Sequence, residues 1–425
     1  MNETMNWLRQ LAQNRLLDVA AVLVMVSVVV LWAEVLPSRE SDFDFNLYYV
    51  GSRTLLEGRN PYTTLQKPMA KALGFRFSEE YPVAGYPPSF LWLFAPLTEL
   101  PPRVAFTIWV ASEIGCLVAI LWLTHWLLRE KLSGRGWLFV VVLAVCSRTV
   151  SYNLFFSQVQ LLLAALVLAA YAAHRAGRHG WACLAVSTAG ILKFYPFLLL
   201  PWFVWSGSGG LRARLYRTAG ASGFVLAVMV LTGPGLWRDF FQYGLPMGVG
   251  EEIGRTFHFS LPALVTNLGY LYHDFRPSPE AKQWWWSAGT IVGLVVIAVA
   301  YGVCLKSCGD GEAAFCLLSV AMLIGTVTVQ GHYFVFLVFP LTVAAIRVVA
   351  KPTPRKVVYL ILLVVAVNCV DPPESAFLWR HVLLYMLVSN VPLYGLFGLG
   401  VFFWRELWAR RALDDEAALT VKAGQ

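Results

Sequence analysis

Residues 16–50 read LLDVAAVLVMVSVVVLWAEVLPSRESDFDFNLYYV. The first part of this stretch, Leu16 to Leu36, is apolar except for Asp18, Ser27 and Glu34. A run of that kind meets the roughly 20 apolar residues that a helix needs to cross a bilayer. It has no small-residue cleavage site and is followed by further apolar runs, so it reads as a retained helix rather than a secretory signal. The second part changes character at once. Asp42, Asp44, Tyr48 and Tyr49 open the longest polar segment of the chain. A helix that leaves the membrane and delivers acids and aromatics to its surface sets the class of the whole protein.

Composition extends that reading to both ends. Of 425 residues, 58% are hydrophobic and 14% charged, where soluble globular proteins carry about a quarter charged. The net charge of +8 does not call for nucleic acid. The Lys and Arg residues sit in short clusters between apolar runs, which is how cytoplasmic loops are marked. Arg129, Lys131 and Arg135 form one cluster, Arg175 and Arg178 a second, Arg212, Arg214 and Arg217 a third, and Lys351, Arg355 and Lys356 a fourth. Placing each cluster inside predicts an all-α polytopic protein of about twelve spans with both termini cytoplasmic. The expected organisation is one membrane domain over 1–412 and a mobile cytoplasmic tail over 413–425. A long first outer loop covers 37–103 and a second outer segment covers 233–283. Ser89 to Leu97 is apolar but too short to span, as in an interfacial or re-entrant helix.

Several function classes fall away. There is no G-x-x-x-x-G-K-[ST] phosphate loop and no soluble nucleotide-binding domain, which argues against an ATP-driven transporter. H-E-x-x-H is absent, against a membrane zinc protease. Cys304 and Cys308 have no second pair with which to hold zinc, and the other five cysteines lie in apolar runs as small hydrophobes. Asp42-Phe43-Asp44 has D-x-D spacing, but no metal site and no cofactor is expected.

Charge placement puts several reactive groups on the outer side. Ionisable groups near membrane depth are costly and default to functional candidates. Asp44, just past the first helix, stands where a carboxylate can take a proton from a hydroxyl, and Asp42 beside it has the same chemistry. Both also read as solvated loop acids. Lys193 breaks two short apolar stretches and has two readings, a snorkelling side chain or a point charge for a lipid phosphate. His332 at an outer turn, Arg255 and His258 in the second outer segment, and Arg148 complete the set, with Tyr48 and Tyr49 beside Asp44. His332 also reads as a structural histidine at a helix end, and Arg148 and Arg255 as helix-end anchors.

The stretch Asp44-Phe45-Asn46-Leu47-Tyr48-Tyr49-Val50-Gly51, followed by Leu55-Leu56-Glu57-Gly58-Arg59-Asn60-Pro61-Tyr62, resembles the opening of glycosyltransferase family 87. Tyr86-Pro87-Pro88 with Ala95-Pro96-Leu97 and Leu100-Pro101, Leu192-Lys193 with Pro196, and His332-Tyr333 resemble its later blocks. Where the family often shows G-Q-x-N, this chain has Ser157-Gln158-Val159-Gln160. The late block also lacks the tryptophan and second histidine often found there.

The resemblance implies a GT-C fold with its active site at the extracytoplasmic face of the cell membrane. It implies a polyprenyl-phosphate sugar donor, most often of mannose, and a lipid or glycan acceptor. It places Asp44 at the family's catalytic aspartate and His332 at its late histidine. An inverting hexosyl transfer follows, with Asp44 as general base and Lys193, His332 and Arg255 on the donor phosphate. A lipid or small-molecule transporter of envelope synthesis is the alternative that helix number alone leaves open.

Overall fold

The computed structural model describes residues 15–36, 43–75, 86–246, 258–273, 278–306, 310–370 and 382–423. Within them the protein is helical and without strands. In chain order the helices are α1 (Arg15–Val35), α2 (Phe43–Leu56), α3 (Lys67–Ala72), α4 (Pro88–Phe94), α5 (Pro102–Leu128), α6 (Gly134–Val145), α7 (Arg148–Phe155), α8 (Gln160–Arg175), α9 (His179–Leu192) and α10 (Leu200–Ser206). They continue with α11 (Leu211–Leu231), α12 (Pro234–Asp239), α13 (Leu261–Tyr272), α14 (Pro279–Lys306), α15 (Gly311–Gly325), α16 (Val338–Ala350), α17 (Pro354–Asn368), α18 (Val382–Ser389) and α19 (Val391–Ala423).

Among the described residues, four helical segments are long and apolar enough to cross a membrane: Arg15–Val35, Pro102–Leu128, Pro279–Leu305 and Gly331–Ala350. Two bent pairs, α6 with α7 at 47° and α11 with the Pro234–Gly244 segment at 99°, raise that number to six. Helices α8, α9 and α15 are apolar but shorter. The protein is therefore a multi-pass membrane protein, and the count of twelve is not reached by helix length and apolarity alone. Interruption is the reason. Segments expected as spans are cut by prolines and by the polar corner at Ser147, which caps α7 by accepting from the Val150 N–H at 3.1 Å.

The chain falls into two compact units. The first comprises Met1–Phe197, Gly207–Gly248 and Val348–Val358; the second comprises Leu198–Ser206, Val249–Arg347 and Tyr359–Gln425.

In the first unit, the polar stretch after α1 is not an open loop. It forms α2, because Phe45, Tyr48, Tyr49, Ser52 and Leu55 recur at helical spacing and all are buried. Phe45 stacks edge-on against Phe94 and Phe106 at 5.9 and 5.1 Å. The Tyr49 hydroxyl donates to the Leu100 carbonyl at 2.6 Å, and Ser52 Oγ donates to the Leu91 carbonyl at 2.9 Å. These contacts fasten α2 to α4 and to the 3-10 turn Ala95–Glu99. Gly58, at φ +73°, ends the helix by turning the chain back. Helix α1 is different, since Trp32 is its one buried residue. An Arg135–Asp18 ion pair at 2.6 Å holds one end, and Trp32 Nε1 donates to Ser151 Oγ at 3.2 Å near the other.

In the second unit, α15 is buried along its whole length from Glu312 to Gly325, as expected for a helix that is apolar all round. It meets α14 backbone to backbone. A Cβ on Gly293 would sit 2.4 Å from the Gly325 carbonyl oxygen, and one on Gly289 would sit 2.6 Å from that of Pro262. The Gly289-x-x-x-Gly293 spacing is the small-residue pattern that lets membrane helices approach closely. At the start of α15, Asp310 caps the helix through the Ala313 N–H at 3.0 Å. Arg347 reaches Asp310 at 2.8 Å, Glu312 at 3.4 Å and Glu406 at 3.3 Å, and Arg410 reaches Asp310 at 3.0 Å.

Candidate active site

Asp44 stands in the first turn of α2, where unpaired backbone N–H groups favour negative charge. Both of its oxygens are held. Tyr86 donates its hydroxyl proton to Oδ1 at 3.2 Å, and Gln158 Nε2 donates to Oδ2 in a short contact. Behind Tyr86, the Tyr48 hydroxyl donates to the Tyr86 hydroxyl at 3.1 Å. Two donors thus run in sequence toward the carboxylate, and chains of this kind polarise one another.

Tyr48 is fully buried. Burial first, and the Asp44 charge second, push its hydroxyl well above its ordinary value of 10, against the opposing hydrogen bonds with Tyr86 and Val159. It therefore keeps its proton at any physiological pH. Its ring packs edge-on against Tyr86, Phe90 and Trp109 at 4.7, 4.8 and 5.7 Å.

Lys193 reaches the same place by another route. It ends α9 in an extended conformation at φ −161°, because Phe194-Tyr195-Pro196 cannot continue the helix. The ring of Phe197 folds back over the last turn of α9. A Cβ on Gly190 would lie 2.6 Å from that ring, so only glycine fits there. The half-buried Lys193 ammonium then sits 5.1 Å from the centroid of the Tyr86 ring. Tyr86 is thus shared: its hydroxyl edge serves Asp44, its π face serves Lys193, and its carbonyl accepts from the Tyr62 hydroxyl at 2.9 Å.

The corner between α7 and α8 completes the arrangement. Ser157 has φ +53°, the one positive value among described non-glycine residues. Its carbonyl accepts from Trp109 Nε1 at 3.1 Å, and the Gln158 N–H donates to the Asn153 carbonyl at 2.9 Å. Gln160 Oε1 accepts a short hydrogen bond from the Tyr195 hydroxyl, two residues past Lys193.

Of the candidates that the sequence offers, the structure brings Asp44, Tyr48 and Lys193 together around Tyr86. Tyr49 lies on α2 as well, but its hydroxyl is engaged by the Thr98 and Leu100 carbonyls at 3.2 and 2.6 Å. Arg148 is exposed at the start of α7, with its guanidinium 4.8 Å from the centre of the Tyr152 ring. His258 and His332 belong to the second unit and are both buried there. They lie on adjacent strips of chain, since the Phe259 N–H donates to the Val329 carbonyl at 2.6 Å and Phe259 packs on Phe334. Asp42 and Arg255 lie outside the described residues. Among the described residues no three His, Cys, Asp or Glu side chains gather as a metal site.

Sequence alone does not single out Tyr86 and Gln158 as site residues. Tyr86 reads as a turn residue before two prolines, and Gln158 as the glutamine of a G-Q-x-N block from which Ser157 and Gln160 depart. The signals in sequence are that Tyr86 opens a family-like block and that Gln158 keeps the glutamine of another.

The chain matches the model of glycosyltransferase family 87 over residues 85–340, more than half of its length. The matched stretch begins after Asp44 and includes Tyr86, Gln158, Lys193 and His332. Among solved structures, ArnT from Cupriavidus metallidurans in the apo state is similar at 16% identity, over 91% of this chain and 78% of that one, with a TM-score of 0.33. No curated protein matches the chain.

Proposed function

The chain belongs to glycosyltransferase family 87 and is a multi-pass membrane glycosyltransferase, and from that premise we propose that it moves a hexose, mannose first among them, from a polyprenyl-phosphate carrier to a hydroxyl of a lipid or glycan. In this reading it is a cell-membrane enzyme of the GT-C type. It has about twelve crossings in a single membrane domain and works on the extracytoplasmic side. The observation that supports it most is the pairing around Tyr86. A carboxylate with both oxygens held by neutral donors lies on one edge of the ring, and an ammonium lies on its face.

The chemistry divides between those two charges. Asp44 accepts the proton of the acceptor hydroxyl as that oxygen attacks the anomeric carbon of the donor. The bond from that carbon to the phosphate oxygen breaks on the opposite side, and configuration inverts. The bonding pair leaves with polyprenyl phosphate, which needs no proton at neutral pH, so one carboxylate suffices. Lys193 stabilises the charge that grows on the departing phosphate. His332 and Arg255 stand as further phosphate ligands on the strength of the sequence pattern and the charge rule.

Purified protein in vesicles made from lipids of the source membrane, given radiolabelled polyprenyl-phosphate mannose, should label a membrane acceptor. Asp44→Asn should abolish transfer while leaving the unfolding temperature unchanged. Full transfer by Asp44→Asn would remove Asp44 as the base. A wild-type protein that labels nothing with mannose, glucose or galactose donors would defeat the donor assignment.

A further inference from the structure

The corner joining α7 to α8 has no ionisable side chain from Ser157 to Gln160, yet it reaches Asp44 directly. Gln158 Nε2 donates to Asp44 Oδ2, opposite the Tyr48–Tyr86 chain that ends on Oδ1. We propose that Gln158 is a positioning residue that fixes the plane and the protonation of the Asp44 carboxylate. This proposal rests on the reading of Asp44 as base.

A carboxylate accepts at about four lone-pair sites, and only one that faces the acceptor hydroxyl is useful. With Tyr86 on Oδ1 and Gln158 on Oδ2, rotation about the Cβ–Cγ bond is arrested and the remaining lone pairs have fixed directions. Donors to a carboxylate also favour its ionised form, which is the form a base needs. A neutral amide does both without adding charge. A lysine there would bind the carboxylate as an ion pair, and a glutamate would repel it. Gln158 is itself held, 4% exposed and anchored by its N–H to Asn153 and by the Ser157 carbonyl to Trp109.

Among the described residues, these charged and titratable groups stand near Asp44. Tyr48 lies on its own helix, and Tyr86 precedes α4. Lys193 sits across the Tyr86 ring, and Glu113 of α5 acts on Tyr48 from behind. Arg53 and Glu99 pair with each other at the far end of α2, and Lys71 of α3 is exposed.

The test is the pH profile of kcat/KM for polyprenyl-phosphate mannose, measured on full-length protein in the same vesicles. Gln158→Met keeps length and loses the donor. It should lower kcat/KM at pH 7 about tenfold and move the acid limb upward by about one pH unit, since loss of a donor destabilises the ionised base. Gln158→Glu should move the limb further, because two adjacent carboxylates resist joint ionisation. KM for the donor should stay unchanged in both. An acid limb that stays put in folded Gln158→Met and Gln158→Glu overturns the proposal. If Gln158→Met does not fold, Gln158→Glu decides alone by the same criterion. An inactive Asp44→Asn with an unmoved limb in the Gln158 variants leaves the base in place and defeats only the positioning role. A fully active Asp44→Asn defeats both.

Discussion

Replacing Tyr86 by Phe removes one hydroxyl and leaves the ring on which Lys193 rests. Two hydrogen bonds disappear, the one Tyr86 donates to Asp44 at 3.2 Å and the one it accepts from Tyr48 at 3.1 Å. A hydrogen bond to an ionised acceptor contributes roughly 1.5–3 kcal/mol. The distance exceeds the usual 2.7–2.8 Å for a hydroxyl donor, so the lower half of that range applies. At about 1.4 kcal/mol per decade, kcat/KM at neutral pH should fall roughly ten- to fortyfold. The carboxylate becomes more basic at the same time, so part of the loss should be recovered as pH rises. Stability should fall too. The Tyr48 proton is left without an acceptor in a fully buried position, which costs about 1–3 kcal/mol. The cation–π contact between Lys193 and the ring is preserved, so KM for the donor should not change. Steady-state transfer in vesicles and thermal unfolding followed by tryptophan fluorescence measure the two effects. A Tyr86→Phe protein with wild-type kcat/KM across the pH range and wild-type unfolding would refute the hydrogen-bond chain as the device that holds the base.

Two further outcomes follow from features away from the carboxylate. Ser157 holds φ +53° while its hydroxyl is buried and makes no hydrogen bond. Ser157→Gly should therefore keep the unfolding temperature within about a degree, the relief of left-handed strain offsetting glycine's greater unfolded freedom, whereas Ser157→Val should lower it clearly. Arg347→Met leaves Asp310 and Glu312, at 8% and 7% side-chain exposure, without their main cation, and should destabilise by about 3–5 kcal/mol.

The pH dependence of the Asp310 contribution has a definite sign. Burial alone would raise the Asp310 carboxyl, but the Ala313 N–H and the Arg347 and Arg410 charges outweigh it and hold it below its ordinary 3.8. A depressed folded value means stability that is present above 3.8 and lost as the pH falls through the lower, folded value. Wild-type unfolding should therefore soften only below about pH 4, and the gap to Arg347→Met should close there. An Arg347→Met protein as stable as wild type at pH 7 would contradict the ion-pair account.

Hydropathy and charge placement make the membrane class and much of the helix order readable from the chain alone. The helix break that the sequence places at Lys193 is real. Asp44 and Lys193 are legible because a charge beside an apolar run is costly and therefore conspicuous. Helix α2 is not legible as a helix by hydropathy. Its apolar face is made of Phe and Tyr, whose polar tips dilute the signal that carries the other segments. Tyr86 and Gln158 are illegible as site residues for a different reason. Their roles come from partners 42 and 114 positions away along the chain, and no local pattern encodes a contact at that range. The twelve-span count exceeds what helix length supports because basic clusters record sidedness without recording whether the intervening chain crosses as one straight helix.

Helix α1 faces lipid along most of its length and is fastened at two heights, Asp18 to Arg135 and Trp32 to Ser151. The rise between those residues is about 21 Å of helix, most of the roughly 30 Å hydrocarbon thickness of a bilayer. A helix free to tilt absorbs a thicker or thinner membrane at little cost, but one pinned at both levels transmits the mismatch to what it is tied to. One of those ties is Ser151 of α7, the helix that leads into the corner carrying Gln158, which holds Asp44. The acyl length of the surrounding lipid is thus a mechanical input to the site, and a rate measured for this protein belongs jointly to the chain and to the thickness of the bilayer that holds it.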